Sequence, residues 1–488
     1  MARSRRYRVF SRFPIHSIGD PMKRPNILII YTDQQRWDGL RANGNPDIHT
    51  PHLDRLAADG VNFDRCFAQN PVCMPSRASF LTGQYPSTLG ITHMGVPVPE
   101  ETVTLPRLLR PYGYRSANIG KLHFQPHANR DHRTHHPDYG FDHLEINDEP
   151  GTYEDAYRAW VRRKAPDQLP HISVGLAPLT AVWYDIMKVQ DHGQHPVERF
   201  PKRPVATRCA DDVTQASFVA EQSIEFMRQQ TVSGQPFLCI GGIYSPHSPW
   251  VAPQQYFDLY DPETLRLPSF PSDIDSQRRP DNCDDAELRL ARQGYYGQIS
   301  EVDHQVGRIL AALDELGIAE DTVVVFTSDH GEWLGEHLKY GKGYPAHDQC
   351  SRVPLIIRWP GQVAAGHTVH GLTESLDVLP TLLDCIGAQI PPHLQGVSLW
   401  QNLLGSDEPV KESALTEHTG WKSLRTDRFR YVRHTDGREM LYDLSAQWGD
   451  YRDVSTDSDY ANDLAEARHA LLLKVLQMER PLARTWPY

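Results

Sequence analysis

The sequence predicts an α/β protein with a large, mostly parallel central sheet and a smaller α+β subdomain at its C-terminal end. Two apolar runs, Asn26 to Tyr31 and Thr322 to Ser328, show little alternation of polar and apolar residues, which is typical of strands buried on both faces. Helical periodicity between such runs, for example over Asp211 to Gln229, favours strands that alternate with helices and pair in parallel. A length of 488 residues is sufficient for one large core and an appended domain.

Composition and charge argue against several classes of protein. Hydrophobic residues make up 39% of the chain and charged residues 23%, which is ordinary for a globular protein, and a net charge of −12 argues against a nucleic-acid partner. No apolar run approaches the length of a membrane span, so no membrane association is expected. Seven cysteines without regular spacing do not resemble a disulfide framework, which favours a reducing, cytoplasmic compartment.

The chain divides into three predicted parts. Residues 1–23 are rich in arginine and lack the apolar core of a secretion signal, so we expect a disordered extension or a misassigned start. Residues 24–395 form the predicted catalytic domain. Beyond that point the composition changes, and the strand-like runs Ser423 to Val432 and Glu439 to Leu444, followed by a helix from Asp463 to Met478, predict a C-terminal subdomain over 396–488.

The most informative stretch is Cys73-Met74-Pro75-Ser76-Arg77, which continues to Gly83. Apolar residues within it and a glycine at its end predict a short helix that begins near Cys73. Cys73 has no C-x-x-C partner. The number of residues between Cys73 and Arg77 is also too small for a cysteine-phosphatase loop. A buried structural cysteine is the alternative interpretation.

Polar residues follow both buried strands. Asp33 and Gln34 come after the first strand, and Asp329 and His330 come after the second. Ligands gather at the carboxyl ends of parallel strands, where such oxygen and nitrogen atoms can hold a cation. Taken alone, an Asp and a Gln in this place are also typical of helix caps and loops. Glu332 is expected to lie outside the group, because it is a few residues further on.

Three further segments carry basic side chains near strand-like runs. Lys121 and His123 follow such a run and project the same way if its extended backbone continues. His247 lies between Pro246 and Pro249, which suits either a general acid or a structural turn. Lys342 lies 13 positions after Asp329 (342 minus 329).

Together these segments resemble the type I sulfatases of the alkaline phosphatase superfamily, whose pattern C-x-P-S-R-x-x-x-L-T-G matches Cys73 to Gly83. The resemblance covers nearly all of residues 24–450 and implies an alkaline-phosphatase-like α/β sandwich. It implies that a formylglycine-generating enzyme oxidises Cys73 to formylglycine, whose hydrate attacks the sulfur of a sulfate ester. An anionic ester repels ordinary nucleophiles, which explains the need for an activated oxygen and dense positive charge.

The resemblance also implies a role for each candidate residue. One divalent cation, Ca²⁺ or alternatively Mn²⁺, would be held by the residue at position 73 together with Asp33, Gln34, Asp329 and His330. Arg77, Lys121 and Lys342 would offset charge at the reacting group. His247 or Lys342 would protonate the departing alcohol, and His123 would help to release sulfate.

Two other functions remain open from the sequence. Sulfatases usually have Asp-Asp where this chain has Asp33-Gln34, and the Asp-Gln pair resembles a subset that includes phosphonate monoester and phosphodiester hydrolases, although these tend to lack the pair Lys121 and His123. The third function is anion binding without catalysis, which the complete set of ligands disfavours.

The substrate and the assembly are less well defined. Sulfated carbohydrate, choline sulfate and aryl sulfate all fit, and the oligomeric state does not follow from the sequence. Residues 126–200, which include His135-His136 and Trp183-Tyr184, predict a long insertion of variable structure that rims the pocket.

Overall fold

An eight-stranded sheet forms the centre of the protein, for which a computed structural model describes residues 24–126, 134–174, 188 and 200–479. Its strands are β1 (Asn26–Thr32), β2 (Val61–Phe63), β3 (Arg115–Gly120), β4 (His143–Ile146), β5 (Phe237–Gly242), β6 (Thr322–Ser328), β7 (Leu355–Arg358) and β8 (His367–Val369). They lie in the order β8-β2-β7-β6-β1-β5-β3-β4. Only β7 runs antiparallel to its neighbours, so the mostly parallel sheet predicted from the sequence is confirmed.

Helices cover both faces of this sheet. Ile27 and Ile29 of β1 pack into the core on one face, and Leu28 and Ile30, which alternate with them, pack into the core on the other. The structure is therefore the predicted α/β sandwich. The helices are α1 (Pro51–Ala58), α2 (Cys73–Thr82), α3 (Pro86–Leu89), α4 (Leu105–Leu109), α5 (Ala156–Lys164), α6 (Gln215–Ser233), α7 (Gln254–Phe257), α8 (Ser272–Asp275), α9 (Asp285–Glu315), α10 (Asp348–Ser351), α11 (Val378–Cys385), α12 (Trp400–Leu403) and α13 (Ala461–Gln477).

A second, antiparallel sheet lies near the C-terminal end. Its strands are β9 (Ala414–His418), β10 (Trp421–Arg425), β11 (Phe429–His434) and β12 (Glu439–Asp443). They lie side by side in the same order as in the chain. Apolar residues of this sheet pack against α13, and Tyr85 and Leu376 join the same cluster from the larger part of the chain. The small C-terminal α+β unit is thus present, and it packs directly on the rest of the protein.

Several element boundaries differ from the sequence prediction. The run Ser423 to Val432 contains parts of two strands, β10 and β11, because the chain turns at 426–428, where Thr426 and Phe429 exchange hydrogen bonds. Pro354 interrupts the run predicted from Val353 onward, since proline has no N–H to donate.

The insertion at 126–200 is partly regular rather than variable throughout. It contributes the edge strand β4 and the helix α5. Trp183-Tyr184 and the predicted extension 1–23 lie outside the described residues. Within the described ranges, none of the helices combines the length and apolar composition that crossing a membrane would require.

Candidate active site

Two neighbouring strands place the predicted polar pairs side by side. Strands β1 and β6 are parallel and in register, with Thr32 opposite Ser328. The residues that follow them, Asp33 and Asp329, therefore emerge together at the carboxyl edge of the sheet. Helix α2 begins beside them at Cys73 and ends at Thr82, and the Gly83 that follows has a φ of 65°, the left-handed conformation that glycine adopts at helix ends.

Four of the predicted metal ligands form one buried cluster. The Cys73 Sγ atom lies 3.2 Å from His330 Nε2 and 3.6 Å from Asp33 Oδ1. The same His330 nitrogen lies 3.6 Å from Oδ1 of Asp33 and of Asp329. All four side chains are fully enclosed, and their ligand atoms lie within 4.8 Å of one another.

Hydrogen bonds orient two of these ligands toward the cluster. Nδ1 of His330 lies 2.9 Å from the carbonyl oxygen of Gly331, so Nδ1 carries the ring proton and the lone pair of Nε2 faces Asp33. Oδ1 of Asp329 accepts hydrogen bonds from the backbone N–H groups of Gln34 and His330, at 3.0 and 2.9 Å. Its Oδ2 accepts from Arg77 Nε at 2.8 Å.

Gln34 supplies an observation that favours a bound cation. Its side-chain oxygen is buried and accepts no hydrogen bond from any described residue, while its amide nitrogen donates to Glu332. A buried amide oxygen without a donor is costly unless a cation satisfies it. Two carboxylates, an amide oxygen and an imidazole also form a suitable donor set for a divalent cation. The residues present therefore fit the metal that the sequence predicts.

Glu332 is a contributor to the site that the sequence analysis missed. It is fully buried, not peripheral, and one of its oxygens accepts the amide of Gln34. The other accepts from the backbone N–H groups of Leu334 and Gly341, at 3.0 and 2.5 Å. Burial raises the pKa of Glu332 to about 6. Its position three residues after Asp329 was the available signal, but its contact with Gln34 depends on folding.

Three basic side chains surround the cluster. Lys121 Nζ lies 2.6 Å from Asp33 Oδ2, Arg77 Nη2 lies 3.8 Å from the same oxygen, and Lys342 Nζ lies 2.8 Å from Cys73 Sγ. Burial alone would raise the pKa of Asp33, but Lys121 and other neighbouring charges lower it well below its ordinary value. The pocket around Cys73 is therefore locally cationic in an acidic protein.

The two predicted histidines occupy different surroundings. His247 Nε2 lies 3.0 Å from Lys342 Nζ, which places this ring beside Cys73. His123 is buried and two positions after Lys121, with its backbone N–H donating to Asp148. Strand β3 ends at Gly120, and His123 has a φ of 56°, so the extended backbone that would project Lys121 and His123 alike does not continue.

A cavity of about 280 Å³ opens next to the cluster. Its lining includes Gln34, His247 and Lys342, and also Lys202 and the apolar or aromatic residues Phe200, Pro201, Trp250 and Tyr340. A group attached to an anion at Cys73 would extend into this space. A candidate metal-binding group, a cysteine beside it and three cations, at the carboxyl edge of a parallel sheet, are the features expected of a hydrolase of anionic esters.

Comparisons with known proteins identify the family. The sulfatase family model matches residues 25–388, and a model of the C-terminal part of N-sulphoglucosamine sulphohydrolase matches residues 335–477. The chain is 30% identical to an ulvan-active sulfatase of Formosa agariphila over 87% of this chain and 76% of that protein. It is also 30% identical to an arylsulfatase of Clostridium perfringens, over 92% and 94% of the two chains.

The fold agrees with solved structures of the same superfamily. A phosphonate monoester hydrolase of Agrobacterium radiobacter superimposes with a TM-score of 0.77 and 27% identity, over 93% of this chain and 96% of that one. The chain belongs to the sulfatase family and is a sulfuric ester hydrolase with an alkaline-phosphatase-like fold. The family, fold and enzyme class predicted from the sequence are confirmed.

Proposed function

We propose that the protein hydrolyses the sulfate ester of a small alcohol or carbohydrate, with Cys73 oxidised to formylglycine. The observation that carries the proposal is the position of Cys73 Sγ, 2.8 Å from Lys342 Nζ and 3.2 Å from His330 Nε2. An oxygen nucleophile at this place would act between the metal ligands and the cations that bind the transferring group.

The unmodified thiol is poorly suited to act itself. Burial and the charge of Asp33 raise the pKa of Cys73 to about 12, which disfavours the thiolate. Formylglycine at position 73, made by a formylglycine-generating enzyme, would supply a hydroxyl nucleophile there. This is why we propose maturation of Cys73 as a condition of activity.

Asp33, Gln34, Asp329 and His330 would hold the cation. When bound, it supplies Lewis-acid polarisation of the attacked ester. We propose Ca²⁺ because most of these ligands are hard oxygen atoms, with Mn²⁺ as the alternative because His330 offers an imidazole.

The chain's own basic residues perform the remaining steps in this proposal. Arg77 and Lys121 bind and orient the anionic group, and Arg77 also fixes Asp329 through its 2.8 Å contact. Lys342 gives a proton to the departing oxygen, while His247 holds the lysine in position through its 3.0 Å contact. His123, buried close to Lys121 in the chain, assists the release of sulfate.

The substrate's alcohol would occupy the cavity of about 280 Å³. Its aromatic wall suits the apolar face of a sugar ring or an aryl group. The relatives named for activity on ulvan and on aryl sulfates support this choice. We propose a sulfated carbohydrate or aryl sulfate of a size that this space can hold.

We further propose a cytoplasmic location and two structural parts, 24–395 and 396–488. All seven cysteines are free and buried, which suits a reducing compartment. The antiparallel sheet β9–β12 and α13 share a cluster of apolar residues, which supports a separate C-terminal subdomain.

A phosphonate monoester hydrolase is the second candidate function. Gln34 in the metal cluster and the similarity to the Agrobacterium radiobacter enzyme favour it.

A panel of esters distinguishes the two. The enzyme, co-expressed with a formylglycine-generating enzyme, is assayed on sulfate monoesters, phosphate diesters and phosphonate monoesters with the same leaving group. We expect the highest kcat/KM on the sulfate monoester, and we expect Cys73→Ala to have no activity on any of the esters. A clear preference for phosphonate monoesters would replace the proposal with the second candidate, and full activity of Cys73→Ala would contradict both.

A further inference from the structure

Tyr244 is a buried tyrosine beside the candidate metal ligands and Lys121. It follows β5, which pairs in parallel with β1 on one side and with β3 on the other. Parallel strands bring their carboxyl ends to one edge, so Tyr244 lies between the segment that carries Asp33 and the segment that carries Lys121. Tyr244 is 2% exposed, and it therefore acts through its neighbours and not through solvent.

Hydrogen bonds hold the backbone of Tyr244 in place. Its N–H group donates to Oε1 of Gln215 at 3.0 Å, and the amide nitrogen of Gln215 donates to the carbonyl oxygen of Gly242 at 3.2 Å. The same carbonyl oxygen accepts from the backbone N–H group of Lys121 at 2.8 Å. Tyr244 and Lys121 are thus attached to one point at the end of β5, which fixes their separation.

The hydroxyl group of Tyr244 contacts the His247 ring on the side opposite Lys342. Its oxygen lies 2.9 Å from Nδ1 of His247 and 3.0 Å from the carbonyl oxygen of Ser248, and these two atoms lie 2.6 Å from each other. Since a carbonyl oxygen only accepts, the hydroxyl group and Nδ1–H both point toward it. The three atoms form a closed triangle that fixes the plane of the imidazole ring. The position of Nε2, 3.0 Å from Lys342 Nζ, depends on that plane.

The aromatic ring of Tyr244 contacts the other lysine. Lys121 Nζ lies 4.8 Å from the ring centroid, and on another side it lies 2.6 Å from Asp33 Oδ2. The face of an aromatic ring attracts an ammonium group, and it does so without a lone pair that binds a proton in place of an anion. The ring and the carboxylate therefore hold the ammonium group and leave it able to donate to an anionic substrate.

We propose that Tyr244 is a positioning residue that aligns Lys342 through its hydroxyl group and Lys121 through its ring. The inference rests on the proposed function, in which Lys342 protonates the departing oxygen and Lys121 binds the transferring group. The hydroxyl group fixes the ring of His247, which in turn places Lys342. One buried tyrosine thus sets the relative position of the two lysines at opposite sides of the reacting group.

Tyr244→Phe tests the hydroxyl group, because it removes one oxygen atom and keeps the ring. The matured full-length enzyme with saturating Ca²⁺ is assayed on an alkyl sulfate and on nitrophenyl sulfate. We expect kcat on the alkyl sulfate to fall by roughly 3- to 10-fold, as for the loss of one hydrogen bond, with a smaller loss on nitrophenyl sulfate and little change in KM. Only the alkyl leaving group needs a well-aligned proton.

A double variant separates alignment of Lys342 from a general structural effect. In an enzyme that already carries Lys342→Met, Tyr244→Phe should cause little further loss on the alkyl sulfate, because the lysine that it aligns is absent. A structural defect would instead add to the effect of Lys342→Met. Tyr114→Phe is the matched control, since Tyr114 is buried and donates to the carbonyl oxygen of Pro25 at 2.6 Å, at the opposite edge of the sheet. It should leave the ratio of the two activities unchanged.

Tyr244→Leu tests the ring by a measurement that requires no turnover. Binding of inorganic sulfate to the Ca²⁺-saturated protein is measured by calorimetry, and near-UV circular dichroism establishes that each variant is folded. Loss of the aromatic face should weaken sulfate binding by roughly 2- to 30-fold. Tyr244→Phe, which keeps the ring, should lose less.

The outcomes distinguish failure of this inference from failure of the proposed function. Equal kcat losses for Tyr244→Phe on both sulfates, or no loss on either, would overturn the role of the hydroxyl group. A folded Tyr244→Leu that binds sulfate as tightly as the wild type would overturn the role of the ring. A matured wild type that prefers phosphonate monoesters would contradict the proposed function instead, and the same comparison is then made with alkyl and nitrophenyl phosphonates.

Discussion

The ammonium group of Lys342 lies 3.0 Å from Nε2 of His247, and this contact supports different roles for the two side chains in the proposed proton transfer. Nδ1 of His247 is 2.6 Å from the carbonyl oxygen of Ser248, which can only accept, so Nδ1 carries the ring proton. Nε2 therefore accepts from Lys342. Burial, together with the charge of Lys342, lowers the pKa of His247 to about 3. Of the two side chains, the lysine holds the proton that faces the reacting group at neutral pH.

The loss of activity caused by Lys342→Met should accordingly depend on the leaving group of the substrate. Loss of a general acid reduces the rate by about 10²- to 10⁴-fold when the departing oxygen is basic. We expect a loss of that order in kcat/KM on an alkyl sulfate and a much smaller one on nitrophenyl sulfate, whose leaving group needs little protonation. His247→Ala should follow the same trend with smaller losses, because it only positions the lysine.

The control for this experiment is Lys339→Met. Lys339 is an exposed cation on the same segment, so its removal changes the local charge without touching Cys73. We expect nearly unchanged activity on both substrates. Equal losses on alkyl and aryl sulfate for Lys342→Met would show that this lysine binds charge but does not protonate the leaving group.

Asp329→Asn and Glu332→Gln should differ in metal binding. In the proposed metal site Asp329 contributes a ligand oxygen, and it also accepts from Arg77, so we expect its amide variant to lose both the cation and activity. Glu332 acts through Gln34, and loss of such an outer contact typically weakens metal binding by about 10- to 100-fold. Calcium titration of the stripped variants measures both effects, with exposed Glu315→Gln as the control. An Asp329→Asn enzyme with full metal content and activity would contradict the ligand assignment.

The proximity of the carboxylates among the predicted metal ligands could be anticipated from the sequence because it follows from the direction of the strands. Asp33 and Asp329 follow two apolar strands, and parallel strands bring their carboxyl ends to one edge. The contact of Glu332 with Gln34 could not be predicted. It requires the chain to turn back so that Gly341 also reaches the same carboxylate, and no local pattern encodes that path.

Two kinds of feature were hidden from sequence reasoning. Strand β4 is short and half-buried, and it lies within a region rich in histidine and proline, so no clear period marks it. The contact between His337 Nε2 and Asp450 Oδ2, at 2.9 Å, joins residues 113 positions apart, and no local pattern signals it. Long-range contacts of this kind follow from packing of the C-terminal sheet on the main domain.

Maturation of Cys73 is a separate prediction. When the protein is co-expressed with a formylglycine-generating enzyme, the peptide that contains Cys73 should lose one sulfur and two hydrogen atoms and gain one oxygen atom. Activity should rise in proportion to the converted fraction, because an unmodified thiol cannot supply the hydroxyl nucleophile that the proposed mechanism requires. Peptide mass spectrometry beside activity measurements provides the comparison. A highly active preparation in which this peptide is wholly unmodified would contradict the proposed nucleophile.

The buried carboxyl group of Glu301 should make stability depend on pH. Glu301 lies in α9 with 2% exposure, and burial raises its pKa from 4.5 to about 7. Between these values the unfolded chain loses the proton while the folded chain retains it, so unfolding releases a proton and becomes more favourable as the pH rises. This contribution to stability is complete below pH 4.5 and is lost as the pH passes through about 7.

Glu301→Gln removes that titration and keeps the shape of the side chain. One pKa unit corresponds to about 1.4 kcal/mol, so the free energy of unfolding of the variant, relative to the wild type, should increase by on the order of 2–3 kcal/mol between pH 5 and pH 8. Urea unfolding at both pH values measures the difference, and exposed Glu315→Gln should show little change. A difference between Glu301→Gln and the wild type that stays constant from pH 5 to pH 8 would mean that Glu301 is already ionised in the folded protein, with a partner that offsets its burial.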